Sequence, residues 1–363
     1  MRKIVSDLIE ADSEFKVTAT ASNGKEAIQK AIDLKPDIIT MDVEMPEMNG
    51  LDALKSIMKQ SFVPVIMLSG INEQGMKETI MALEAGAFDF IPDREASMKK
   101  NRDEAQSKLL HQSQRVQVDP PLQDRKGLLK KTIEPAQSRL AEHETAAASA
   151  EPSKDSAKVI PSHKGAGGSD GSFNKLVAIG CSTGGPRALK TLLEQLPGDL
   201  PAPVIIVQHM PPNFTRSLAQ RLNTFSELHV VEAEEGMVLR KGTAYIAPGG
   251  FHVKINKTAD GRFTIKLTEE EPVNGHRPSV DTMFESLLPY TSLQRHLVLL
   301  TGMGSDGARM MKKLYEAGVT STFAENEETC VVYGMPRSAV ELQCVRHLLP
   351  LQEIAPKLVQ AVK

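Results

Sequence analysis

The five residues Gly180-Cys181-Ser182-Thr183-Gly184 fit G-x-S-x-G, follow the apolar run KLVAIG, and lead through Gly185-Pro186 into a helical pattern. A strand, a sharp turn and a helix in that order expose a serine oxygen at the end of a sheet. Glycines permit the turn, and Pro186 suits the first turn of a helix, where its missing N–H is no loss. Backbone N–H groups freed at such a turn can bind the oxyanion of an acyl transfer or, equally, a phosphate. The P-loop lysine is absent and there is no G-x-G-x-x-G. Two further apolar runs shift the balance: PVIIVQ leads into His209, and HLVLLT into the loop GMGSDG that carries Asp306. In an open parallel sheet, functional groups collect at the carboxyl ends of the strands, so Ser182, His209 and Asp306 are expected along one edge. There His209 would take the proton of Ser182, while Asp306 fixes the imidazole tautomer and stabilises its charged form. The order Ser, His, Asp differs from the Ser, Asp, His of α/β-hydrolases, which sets this chain apart from ordinary lipases and esterases.

The elements that must position these residues form an α/β series from Phe173 onward. LVAIG, PVIIV and HLVLL lack alternation, as strands buried on both faces do. Helices are expected after Pro186, from Phe214, after Ser279, after Asp306 and at the terminus, with β-rich sequence between His229 and Leu267. His276 and Asp281 make a rival His/Asp pair. They precede a helix rather than end a strand, and are read as helix-start and cleft-shaping groups.

A second series, between Phe15 and Pro92, alternates KVTATA, a helix from Lys25, DIITMD, a helix after Gly50, PVIMLS, a helix to Ala85 and FDFIP. This is the pattern of βαβα units around a parallel sheet. It is preceded by an amphipathic helix with Met1, Ile4, Val5, Leu8 and Ile9 on one face. Between Ile91 and Ser172 there is no aromatic residue, and TAAASAEPSKDSA and HKGAGGSDGS close the stretch. Such a segment buries too little to offset its ordering entropy, so a flexible linker is expected. The fold class is therefore α/β throughout, with a first domain over 1–95, a linker over 96–172 and a second domain over 173–363.

The 363 residues are 40% hydrophobic and 25% charged, with a net charge of -3, which gives a nucleic-acid partner no electrostatic footprint. No apolar run approaches eighteen residues and Asp7 and Glu10 interrupt the N-terminus, so neither membrane insertion nor a signal peptide is expected and the location is cytoplasmic. Cys181, Cys330 and Cys344 are odd in number and lack C-x-x-C spacing, which argues against a disulfide framework or a cysteine zinc site.

Six motifs in order carry a resemblance: IGCSTGGP, QHMPPNFTRSLAQRLN, YIAPGG, HRPSVDTMF, LTGMGSDG and CVVYGMP. Over the whole second half the chain resembles the CheB family of chemotaxis protein-glutamate methylesterases. The resemblance implies hydrolysis of glutamyl methyl esters on the cytoplasmic helices of methyl-accepting chemotaxis receptors, with methanol released, and deamidation of certain glutamines. It places the nucleophile on Ser182, the base on His209, the orienting carboxylate on Asp306 and the oxyanion donor on the backbone N–H of Met303, with Thr183 the adjacent candidate. Cys181 stands where the family more often has alanine. No cofactor is implied for catalysis. The alternative from another class is a binding module whose second half holds an anionic ligand without turning it over.

Asp42 ends DIITMD, Ser69 closes PVIML, and with GAFDFIP these make the first half resemble a two-component receiver domain. The resemblance implies a phosphoryl acceptor at Asp42, a switch hydroxyl at Ser69 and the chemotaxis histidine kinase CheA as donor. Receivers open on a buried strand ending in an acidic pair that helps hold Mg²⁺. That strand would lie in the middle of a 2-1-3-4-5 sheet, and here the sequence opens on the first helix. The family lysine should follow Ile91-Pro92, where Asp93 stands instead. An anion in place of a cation near the acceptor changes the local electrostatics by ~4 kcal/mol per close pair at intermediate dielectric, so Asp42 is expected to be a poor phosphorylation site. The expected reading is an internal methionine start within a longer protein.

Overall fold

The computed structural model describes residues 2–61, 63–70, 72–93 and 173–363. The expected linker over 96–172 lies outside the described residues. In the first half, β1 (Ile39–Asp42), β2 (Val65–Gly70) and β3 (Asp89–Asp93) form a parallel sheet in the order β1-β2-β3. Alternate side chains go to opposite faces. Ile66, Leu68 and Ile91 are covered by Val5 and Leu8 of α1 (Arg2–Ile9). Val65, Met67 and Phe90 face the other way, toward α2 (Gly24–Leu34), α3 (Gly50–Gln60) and α4 (Glu73–Glu84). Each of these three helices starts after an asparagine: Asn23 accepts from Glu26 N–H, Asn49 from Asp52 N–H and Asn72 from Gly75 N–H, satisfying amide groups that the helix leaves free.

KVTATA, expected as a strand, takes no place in this sheet, and residues 16–21 are mostly exposed with no regular element. In the order 2-1-3-4-5 it would pair with the strand that lies between it and β1, and no described residue supplies that strand. A strand without a ladder partner has no means of satisfying its backbone groups except water.

The second half is built on seven parallel strands in the order β12-β11-β10-β4-β5-β7-β6. They are β4 (Lys175–Cys181), β5 (Val204–Gln208), β6 (His229–Glu232), β7 (Thr243–Ile246), β10 (Gln294–Leu299), β11 (Thr322–Glu325) and β12 (His347–Leu349). Val177, Ile179, Val204, Ile206 and Val298 pack beneath α5 (Gly185–Leu193), α6 (Phe214–Asn223) and α10 (Leu351–Val362). Their neighbours Leu176, Ala178, Ile205, Val207, Leu297 and Leu299 pack against α7 (Val280–Glu285), α8 (Ala308–Glu316) and α9 (Met335–Glu341). Burial on both faces explains why the three apolar runs lack alternation. An antiparallel hairpin, β8 (His252–Lys257) with β9 (Phe263–Thr268), joins the second of these cores. The chain runs outward from β4 through β5 to one edge and from β10 through β11 to the other, which makes the junction of β4 and β10 the topological switch point.

Both halves contribute to one apolar core, because α4 lies against α5 and α6. The Phe90 and Phe214 rings meet at 4.7 Å, and Arg221 of α6 makes a bidentate pair with Glu84 of α4 at 3.0–3.2 Å. Among the described residues no helix is long and apolar enough to cross a membrane.

Candidate active site

β4 ends at Cys181, and the chain turns through Ser182 and Thr183 to Gly184, which caps α5 with φ +80°. Only glycine adopts that angle without strain, and a Cβ there would also fall 2.6 Å from Val331 Cβ. Ser182 is 7% exposed. Its own amide donates to Thr301 O at 3.0 Å, so it is not one of the free donors. The amides of Thr183 and Met303 have no protein acceptor among the described residues. Met303 is brought to Ser182 by Gly302, where a Cβ would stand 2.9 Å from Ser182 Cβ.

His209 follows β5, and its Nε2 donates to Asp306 Oδ2 at 2.8 Å. Asp306, in the loop after β10, is 2% exposed and accepts four more bonds, from Asn274 Nδ2, Ser279 Oγ and the amides of Val280 and Asp281, at 2.7–3.1 Å. Burial pushes this carboxyl up, but the bond and charge of His209 and the two amides outweigh it and hold it well below the usual carboxylate range. An ionised carboxylate only accepts, so the imidazole proton sits on Nε2 and Nδ1 keeps a lone pair. Nδ1 is buried and has no hydrogen-bond partner. The tautomer is thus fixed by Asp306, and the other ring nitrogen is left for a proton.

The rival pair separates. The His276 ring stacks on His209 at 3.7 Å between centroids, while Asp281, in the first turn of α7, accepts from Asn274 Nδ2 and Met310 N–H at 3.1 and 3.0 Å.

Several residues of this site escaped the sequence reading. Gln208 Nε2 donates to both Ser182 O and His209 O, at 3.0 and 3.1 Å, locking the two strand ends together. Asn274 and Ser279 hold Asp306. The one signal for Gln208 was a polar residue closing an apolar run next to His209. Asn274 and Ser279 lie 32 and 27 residues from Asp306, and no local pattern announces such pairs.

Ser182, Thr183 and His209 line a cavity of about 400 Å³ that is also lined by Leu83, Phe88 and Phe90 of the first half. Phe88, 3% exposed, packs with Val331, Val332 and Met303. The first half therefore stands over the cleft.

In the first half, Asp42 ends β1 and Ser69 lies near the end of β2, on the same edge of the sheet. Asp42 is half-buried, accepts Glu44 N–H at 3.1 Å, and is pushed up from its ordinary value by burial. Ser69 is fully buried against Gly70 O and Gly75 O and is bonded to Thr79 Oγ1. Asp93 closes β3 opposite Gly70. Among the described residues no group of three or more His, Cys, Asp or Glu could hold a metal. Asp42 alone, without the acidic pair that receivers bring to this edge, does not make a Mg²⁺ site among the described residues.

A family profile described as CheB methylesterase matches residues 177–358. The chain belongs to the CheB methylesterase family. Residues 1–98 match a response regulator receiver domain, so the chain is a two-component response regulator carrying a methylesterase of chemotaxis. Among its relatives, a protein-glutamate methylesterase/protein-glutamine glutaminase of Geobacillus kaustophilus (strain HTA426) is 42% identical, over all of this chain and 95% of its own. One of the same description from Thermotoga maritima (strain ATCC 43589 / DSM 3109 / JCM 10099 / NBRC 100826 / MSB8) is 40% identical, again over 100% and 95%. The crystal structure of the Thermotoga maritima CheB methylesterase catalytic domain matches with a TM-score of 0.50 and 43% identity, covering 52% of this chain and 100% of that one.

Proposed function

We propose that this chain hydrolyses glutamyl methyl esters on the cytoplasmic helices of methyl-accepting chemotaxis receptors, and deamidates certain receptor glutamines, with Ser182 as nucleophile. The observation that carries this is the orphaned Nδ1 of His209, on a ring held by Asp306 in the same cleft as Ser182. Ser182 Oγ attacks the ester carbonyl as Nδ1 takes its proton, and the imidazolium is stabilised by Asp306. The carbonyl oxygen gains charge between the amides of Thr183 and Met303. Collapse breaks the C–O bond, and His209 protonates the departing methoxide to methanol. Water, deprotonated by His209, then cleaves the acyl-serine to free glutamate and Ser182. With a glutamine the leaving group is ammonia, and the same oxyanion site serves.

The expected effect of Ser182→Ala is a loss of methanol release from methylated receptor membranes on the order of 10⁴-fold or more, by analogy with serine triads. Retained turnover would contradict the assignment. Protection of this turn by a phospho-ligand, with no methanol from the wild-type chain, would favour the noncatalytic alternative.

The wall formed by Leu83, Phe88 and Phe90 supports a gating role for the first half, which must move for a receptor helix to reach Ser182. In the family reading that movement follows phosphoryl transfer from CheA to Asp42, with Ser69 as switch. With Asp93 where the family lysine is expected, and no acidic group beside Asp42 among the described residues to complete a Mg²⁺ set, this chain is expected to be a weak acceptor.

A further inference from the structure

Behind the serine turn lies a buried acid that the proposed reaction does not use. Glu325 ends β11 and is fully buried. β10 and β11 pair as far as Leu299 and Ala324. Beyond that point the Glu325 side chain takes over, and its Oε2 accepts Thr301 N–H at 2.8 Å. Every polar atom of Thr301 is engaged around the turn. Its carbonyl accepts Ser182 N–H at 3.0 Å. Its hydroxyl donates to Thr183 O at 2.9 Å and accepts the amides of Val331 and Val332 at 3.0 Å. Two residues on is Met303, carried past Ser182 by Gly302.

We propose that Glu325 is a positioning residue for the hydrolysis, fixing through the Thr301 peptide the spacing between Ser182 and the Thr183 and Met303 amides. The proposal rests on the reading of Ser182 as nucleophile. What it requires of Glu325 is an acceptor oxygen at one place, not a charge. The chemistry around the carboxyl agrees: burial pushes it up to about 7, while Thr301 N–H, Thr329, the charge of Arg187 and Cys330 act in the opposite direction. Its second oxygen, Oε1, is buried without a hydrogen-bond partner. Misplacing reacting groups by about 1 Å costs on the order of 10²-fold in rate. An error between nucleophile and oxyanion amides appears in kcat, since those contacts tighten only in the transition state.

The test compares three substitutions in the full chain, read as methanol release from methylated receptor membranes with kcat and KM separated, beside thermal melts. Glu325→Gln keeps an acceptor in place, Glu325→Asp withdraws it by one methylene, and Glu325→Leu removes it. The proposal expects kcat of the Gln variant within about threefold of wild type, and kcat of the Asp and Leu variants about 10- to 100-fold lower with KM within about twofold. A wild-type kcat in the Asp variant, a loss in Gln equal to that in Asp, or an effect confined to KM would overturn it. Should the Leu variant fail to fold, the Asp and Gln pair decides. Ser182→Ala is run in parallel: its retained turnover would remove the nucleophile assignment, whereas equal Asp and Gln rates with an inactive Ser182→Ala would remove the role of Glu325 alone.

Discussion

Asp306 gathers five donors within 3.1 Å, His209 Nε2 among them. Replacing it by Asn keeps the shape but turns an acceptor-only group into one that also donates, which disfavours the tautomer with Nδ1 free. Asp306→Asn is expected to lower kcat about 10³- to 10⁴-fold, measured by methanol release, with the fold retained by melting. The buried acid behind the turn gives a separate pH test. Glu325 is pushed up to about 7 in the fold from an ordinary 4.5. A carboxyl with a raised folded pKa favours the fold while protonated, so its contribution is full below the unfolded value and is lost as pH rises toward 7. Glu325→Gln removes that loss. Its unfolding free energy relative to wild type, followed by melting at each pH, should rise between pH 5 and 8 by about 3 kcal/mol at most, at 1.36 kcal/mol per pKa unit; parallel curves would contradict it. At this scale the sequence made Ser182, His209 and Asp306 legible because each closes or follows an apolar run. Gln208, Asn274 and Glu325 were hidden because their partners are brought close only by the sheet.

The elements were legible where burial imposes a pattern. β4, β5 and β10 coincide with the runs LVAIG, PVIIV and HLVLL, and their sidedness follows from packing on both faces. β11 and β12 are four and three residues long, too short for periodicity to separate from loop. KVTATA shows the reverse failure: its composition suits a strand, but no neighbouring strand is present among the described residues to pair with it. The asparagine caps of α2, α3 and α4 were not read from the sequence, although an asparagine beside its own helix needs no distant partner. Asn49 holds Asp52 N–H at 2.8 Å at the start of α3, next to the loop from Asp42. Asn49→Ala is expected to destabilise the first half by about 1 kcal/mol in urea denaturation.

At the scale of the molecule, composition separated two α/β halves but not how they meet. That contact depends on single residues of α4, β3 and α6, above all the Glu84–Arg221 pair and the Phe90–Phe214 rings. Glu84 is nearly buried there, so Arg221→Ala leaves its carboxylate without the guanidinium and weakens the seating of the first half. Basal methanol release by Arg221→Ala should rise severalfold over wild type, while an unchanged rate would mean that this pair does not hold the cleft closed. The central claim, that a serine hydrolase beneath α4 and β3 acts on methylated receptors, is tested most directly on residues 173–363 alone. Methanol release from methylated receptor membranes by 173–363 is expected to be faster than by the full chain and abolished by Ser182→Ala. Absence of methanol from a folded 173–363, or release that survives Ser182→Ala, would contradict it.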